Sequence, residues 1–135
     1  VDFMYNDDHL VDPNKLPATI ELIKRIQDYS KGLGVQLIDS IGTQMHIDNN
    51  ISNESIRHMF LELSRFGLPI EVTEFDLAMT SDVEGLSDDV IQAMRLKRID
   101  DICQVTNKKT PYGAFIVQGI GLADVFSLQR KPQIF

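Results

Sequence analysis

The 135-residue sequence predicts an α/β fold, on three observations. Runs rich in β-forming residues alternate with stretches of helical periodicity. The helical stretches, at about ten to twenty residues, are long enough to cross over between parallel strands. Polar residues able to do chemistry recur where the β-runs end. An apolar fraction of 43% with 24% charged residues suits one domain with a real core, so residues 1–135 are read as a single unit.

The order predicted is βαβαβαβ. Val1 to Asn6 is a first strand, closed by the polar cluster Asn6-Asp7-Asp8. From Leu16 to Ser30, Ile20, Ile23 and Ile26 stand at helical spacing, and Gly32 and Gly34 supply the stop. Ser40 to Ile47 is the second strand, with Gly42, Gln44 and His46 on one side and Ile41, Thr43, Met45 and Ile47 on the other. Ser52 or Asn53 caps a helix whose stripe is Ile56, Met59, Phe60, Leu63 and Phe66, and Gly67 closes it.

Ile70 to Leu77 is the third strand, bounded by Gly67-Leu68-Pro69 and by Thr80-Ser81-Asp82. Strict alternation puts Ile70, Val72, Glu74 and Asp76 on one face and Glu71, Thr73, Phe75 and Leu77 on the other. Two carboxylates then end a face that begins apolar, and their burial there requires partners. A polar loop, Met79 to Leu86, leads to Ser87-Asp88-Asp89, an acid-rich first turn that suits the helix dipole. The helix runs to about Val105 and buries Ile91, Met94, Ile99, Ile102 and Cys103. Tyr112 to Ile120 is the fourth strand. In parallel α/β folds functional groups gather at the C-terminal edge of the sheet, in a barrel as much as in a doubly wound sheet, and the pattern alone leaves those two open.

A net charge of −7 argues against nucleic acid, which asks for a basic face, and no polybasic cluster would hold the chain on anionic lipid. No apolar run reaches the length of a membrane span. The single cysteine, Cys103, excludes an internal disulfide and leaves the compartment open. The chain opens on Val1 and reads as a piece of something longer.

Of the polar groups, His46, Glu74 and Asp76 form the most coherent set. The expected arrangement has Asp76 accepting a hydrogen bond from one imidazole nitrogen and the other nitrogen orienting Glu74, a relay that would hold a nucleophilic or general-base carboxylate in one rotamer. Gln44 shares a face with His46, and a neutral amide there suits sugar hydroxyls or a carboxylate. A metal held by His46, Glu74, Asp76 and Asp7 ranks lower, because no helix-spaced metal signature accompanies them. His9 and His58 read as surface residues. No serine sits in a Gly-x-Ser-x-Gly elbow and no glycine-rich phosphate loop opens a helix.

These motifs resemble glycoside hydrolase family 10, the endo-1,4-β-xylanases. Thr73-Glu74-Phe75-Asp76 resembles the family's T-E-L-D, Gly42-Thr43-Gln44-Met45-His46 resembles G-x-Q-S-H, and Tyr5-Asn6-Asp7 resembles the strand that ends in N-D-Y-N. Gln92-Ala93 and the close from Pro132 to Phe135 follow in the family's order. The resemblance implies a parallel (β/α)4 unit, strands five to eight, forming the C-terminal half of a (β/α)8 TIM barrel of roughly 250 residues. It implies retaining hydrolysis of β-1,4-xylan, with Glu74 as the nucleophile, His46 and Asp76 behind it, and Asn6, Gln44 and Gln118 as substrate or network contacts, without metal or cofactor. The second carboxyl of a retaining pair belongs, in the family, to a fourth strand that has no counterpart here. The implied partners are xylan or xylo-oligosaccharides and the missing N-terminal half of the barrel or a second copy of the chain, and the chain alone is expected to be inactive. Where the family has tryptophans, in V-W-G and D-x-x-S-W, this sequence has Val117-Gln118-Gly119 and Asp124-Val125-Phe126-Ser127-Leu128. The alternative reading is therefore a non-catalytic carbohydrate-binding or structural remnant of such a barrel.

Overall fold

A computed structural model describes residues 2–107 and 115–117. Its elements are β1 (Met4–Asp8), α1 (Leu16–Leu33), β2 (Ser40–Asp48), α2 (Asn53–Ser64), β3 (Ile70–Ala78), α3 (Asp88–Asn107) and β4 (Phe115–Val117). The four strands form one parallel sheet in the order β1-β2-β3-β4. Each strand pairs with its successor, so the crossovers all step in one direction. Right-handed crossovers stepping one way put their helices on one face of the sheet. A doubly wound sheet instead reverses its order at a switch point, and the described strands contain no such reversal. The residues after β4, where a (β/α)4 unit would need its fourth helix, lie outside the described residues.

The helices begin and end for local reasons. Pro17 occupies the first turn of α1, where a missing N–H costs nothing. The stop is Gly34 alone, at φ 69°, where its N–H donates to Lys31 O and the next N–H, of Val35, reaches back to Ser30 O; Gly32 lies inside the helix. Ser52 caps α2, its Oγ accepting from Ser55 N at 3.0 Å. Ser87 Oγ accepts from Val90 N at 3.4 Å at the start of α3, ahead of Asp88 and Asp89.

One core lies between the sheet and the helices. Ile41, Met45 and Ile47 from β2 and Ile70, Val72, Phe75 and Leu77 from β3 bury against Ile23 of α1, Ile56, Met59, Phe60 and Leu63 of α2 and Ile102 of α3. Ile91, Met94 and Ile99 pack on this core partly buried, and Cys103 is likewise half-buried rather than enclosed. Among the described α3 side chains the most deeply buried is Arg95, whose burial pulls the guanidinium below its ordinary range. Arg98 donates to the Asn53 side-chain oxygen and to Ile51 O, tying α3 to the start of α2.

Two expectations about the strands need correction. β1 is displaced toward the C-terminus, so Asn6 lies in mid-strand, and Asp7 and Asp8 extend it instead of ending it. They are accommodated because Lys15 Nζ bonds Asp7 at 2.7 Å and Asp8 at 2.5 Å, and the turn is made by His9 at φ 53°. The second correction concerns β3. Thr43 pairs with Val72 but Gln44 pairs with Glu74, which leaves Thr73 unmatched in a β-bulge. The bulge inverts the alternation beyond it. Ile70, Val72, Phe75 and Leu77 are buried together, whereas Glu74 is exposed and Asp76 half-buried on the opposite face. Strict alternation, which placed both carboxylates with Ile70 and Val72, therefore fails at one residue.

Candidate active site

The sheet face turned away from the helices carries the polar residues, in rows set by strand register. Asn6 pairs with Gly42, Gln44 with Glu74, and His46 with Asp76. His46 Nδ1 lies 2.6 Å from Asp76 Oδ2, so this nitrogen donates to the carboxylate. His46 Nε2 lies 3.1 Å from Glu74 Oε2, and Gln44 Nε2 donates to Glu74 Oε1 at 2.9 Å. Both oxygens of Glu74 are thus engaged, by a neutral amide and by an imidazole itself anchored on Asp76. The Glu74 side chain keeps 52% of its surface open to solvent, against 36% for His46 and 32% for Asp76. The carboxylate is oriented from behind and free in front.

Two effects compete at the imidazole. Burial, the largest single one, pulls the His46 pKa down, but the Asp76 hydrogen bond and charge, reinforced by Glu74, outweigh it and the pKa rises above its ordinary value. The imidazolium form donates to both carboxylates at once.

Thr73 is the site residue that sequence reasoning missed. As the bulged residue it turns to the same face as Glu74, and its Oγ1 donates to Asn6 Oδ1 at 2.9 Å, reaching across β2. The path is clear because Gly42 lies between: a Cβ there would stand 2.5 Å from Asn6 Oδ1 and 2.6 Å from Met4 Sδ. Gly42 is needed for this close approach, not for an unusual φ. Asn6 is therefore tied to Thr73, the residue before Glu74 in β3. The only advance signal was a threonine directly before the acidic residue in a β-run.

Asp7 is not brought to this face. Its carboxylate accepts from Tyr5 Oη at 2.8 Å and Thr19 Oγ1 at 3.3 Å as well as from Lys15, which anchors β1 on α1. Burial is the largest single influence on Asp7 and would raise its pKa, but the bonds from Lys15, Tyr5 and the Asp8 N–H, with the Lys15 charge, together hold it below the ordinary value. The metal set that included Asp7 is accordingly split between two sides of the sheet, and among the described residues no group of three or more His, Cys, Asp or Glu could hold a metal ion. Gln118 lies outside the described residues.

Comparison with known proteins bears on what this face does. The model of glycosyl hydrolase family 10 matches residues 1–124. The chain is 33% identical over 84 residues to endo-1,4-beta-xylanase A of Thermoanaerobacterium saccharolyticum, a match covering 61% of this chain and 7% of that protein. An exoglucanase XynX of Acetivibrio thermocellus matches with the same identity and coverage. Among solved structures, an intracellular xylanase of Thermoanaerobacterium saccharolyticum, in complex with xylotetraose, superposes with a TM-score of 0.72 at 27% identity, covering 99% of this chain and 39% of that one. Xylanase B of Clostridium stercorarium F9 gives a TM-score of 0.71 at 23% identity, over 99% of this chain and 41% of its own, a likeness of fold. The chain thus spans well under half the length of the xylanases it matches.

Proposed function

Since this chain belongs to glycosyl hydrolase family 10, we propose that residues 1–135 are one unit, strands five to eight of a (β/α)8 barrel, and carry the nucleophile of a retaining xylanase. The observation that carries this reading is the seating of Glu74, with Oε1 held by Gln44 and Oε2 by His46, and His46 held in turn by Asp76. Such a carboxylate is fixed in one rotamer with its front open to a sugar, which is the preorganisation a nucleophile requires.

In the proposed reaction a Glu74 oxygen attacks the anomeric carbon of a β-1,4-linked xylose. A carbon–oxygen ester bond forms as the glycosidic bond breaks, and the departing oxygen takes a proton from a second carboxylic acid about 5 Å from Glu74. Water, deprotonated by that same group, then attacks the anomeric carbon and frees Glu74, with net retention. His46 steadies the carboxylate before attack, and in its cationic form it offsets the charge that returns when the ester is cleaved. Gln44 holds the other oxygen, and Asn6 acts through Thr73 or on sugar hydroxyls. Gln118 is proposed as a further substrate contact.

The acid/base is assigned to the remainder of the barrel, so the chain alone turns over no xylan. Its ligands are xylan or xylo-oligosaccharides, in keeping with the xylotetraose bound to one of its structural neighbours. The open face and the edge strand β1 are proposed to be covered by the front half of the barrel or by a second copy. Sedimentation at rising concentration tests the second copy. Xylan hydrolysis by the isolated chain that disappears in Glu74→Gln would overturn the assignment of the acid elsewhere.

The absence of tryptophan anywhere in the sequence favours a second reading, a carbohydrate-binding or structural remnant. Titration with xylo-oligosaccharides combined with covalent labelling separates the two, since a remnant binds or folds without forming an ester at Glu74.

A further inference from the structure

Beyond the network behind Glu74, one side chain at the end of β2 makes more hydrogen bonds to its neighbouring loop than any site residue makes to its partners. Asn49 Oδ1 accepts from Thr80 N at 2.9 Å, Ser81 N at 3.2 Å and Thr80 Oγ1 at 3.3 Å, and its Nδ2 donates to Ser81 O at 2.8 Å. Its backbone N–H donates to Ala78 O at 3.0 Å, prolonging the β2–β3 ladder past its last pair, Asp48 with Ala78. Asn50 adds a bond from Nδ2 to Thr80 Oγ1 at 3.2 Å. Three donors on one side and a carbonyl on the other fix which way the Asn49 amide points. Aspartate lacks the donor and alanine has neither group.

We propose that Asn49 is a positioning residue that holds β2 in register with β3 beyond the Thr73 bulge and so seats His46 against Asp76. The reason lies in the two-against-one count of the bulge. At the start of the pair Ile41 N is held by Pro69 O at 2.9 Å. Without a fixed point at the far end, the strands can pair bulge-free, with Gln44 opposite Thr73 and His46 opposite Phe75. A slip of one residue sends every following side chain to the other face. Burial of Phe75 and Leu77 works against that slip from within the core, and the Asn49 bonds to Thr80 and Ser81 work against it from the far end of the pair. This inference rests on the reading of His46 and Asp76 as the support of Glu74.

The test is NMR of the full 135-residue chain, reading the two imidazole nitrogens of His46 and the exchange of the Thr80 and Ser81 amides. Besides Asp76 and Glu74, Asp48 at the same sheet edge is the charge whose titration must be followed alongside. In the unaltered chain Nδ1 is expected to remain the proton-bearing nitrogen throughout the titration, with both amides protected. In Asn49→Ala the two amides exchange faster by about tenfold or more, and the His46 nitrogens move to the averaged tautomers of a free histidine. Ser52→Ala, which removes the α2 cap, lowers stability while leaving His46 as it was. Should Asn49→Ala fail to fold, Asn49→Ser retains a short polar group and the same shift decides. His46 nitrogens unchanged in either Asn49 variant overturn the proposal alone. An unlinked His46 beside protected amides in the unaltered chain overturns the reading of the site, and this proposal with it.

Discussion

The Thr73 hydroxyl and the Asn6 side-chain oxygen are 2.9 Å apart although β2 runs between their strands. The contact depends on Gly42 having no side chain, because a Cβ at that position would meet Asn6 Oδ1 at 2.5 Å and Met4 Sδ at 2.6 Å. Gly42→Ala is therefore expected to lower stability by about 1–3 kcal/mol, the usual cost of overpacking. Urea denaturation checks this, and a midpoint equal to that of the unaltered chain contradicts it.

The same contact predicts coupling between distant positions. Asn6→Ala and Thr73→Val should each cost about 0.5 kcal/mol, since the bond is exposed, and the double variant should cost no more than either alone. Full additivity in the double-mutant cycle would show that the contact contributes nothing.

His46 gives a pH signature. Its pKa is raised in the folded chain because the Asp76 and Glu74 carboxylates outweigh burial. A raised pKa contributes stability that is fully present below the unfolded value of about 6.5 and is lost as pH rises through the folded value. Melting temperature should accordingly fall more between about pH 6 and pH 8 in the unaltered chain than in His46→Gln. Asp76→Asn should return the His46 titration toward its ordinary range, and an unmoved titration would contradict the pairing.

The acid limb belongs to β1. Asp8 is held at about 2, chiefly by the Lys15 ammonium and then by His9, and Asp7 is lowered by Lys15 and Tyr5 against its own burial. Depressed carboxylates contribute stability above their unfolded value, and it is lost as pH falls through the folded one, here from about 4 toward 2. Lys15→Met should remove that part of the acid dependence, which thermal melts across this range would measure.

Much of this was legible in the residues. The stripes of α1 and α2, the Ser52 cap and the facing of Gln44 and His46 follow from periodicity and local chemistry, and these hold in the structure. The meeting of His46 with Glu74 and Asp76 was also expected from residue type and strand position. What the alternation missed was the bulge at Thr73, a feature of pairing between strands rather than of either strand alone. For the same reason the carboxylates were expected on a buried apolar face, while they stand on the open one. Arg95 in the core and the extension of β1 through Asp8 depend on contacts from residues remote in the chain or across a turn, which a reading by local period does not contain.

The central claim, that Glu74 is a nucleophile, is tested most directly by covalent labelling. A 2-fluoro-xylobioside with a dinitrophenolate leaving group needs no proton at departure, so the acid assigned to the rest of the barrel is not required for the first step. Peptide mapping of the labelled chain by mass spectrometry should find one fluoroglycosyl ester, on Glu74, absent from Glu74→Gln and slowed in His46→Gln. No adduct, or an adduct on another carboxylate, would contradict the account.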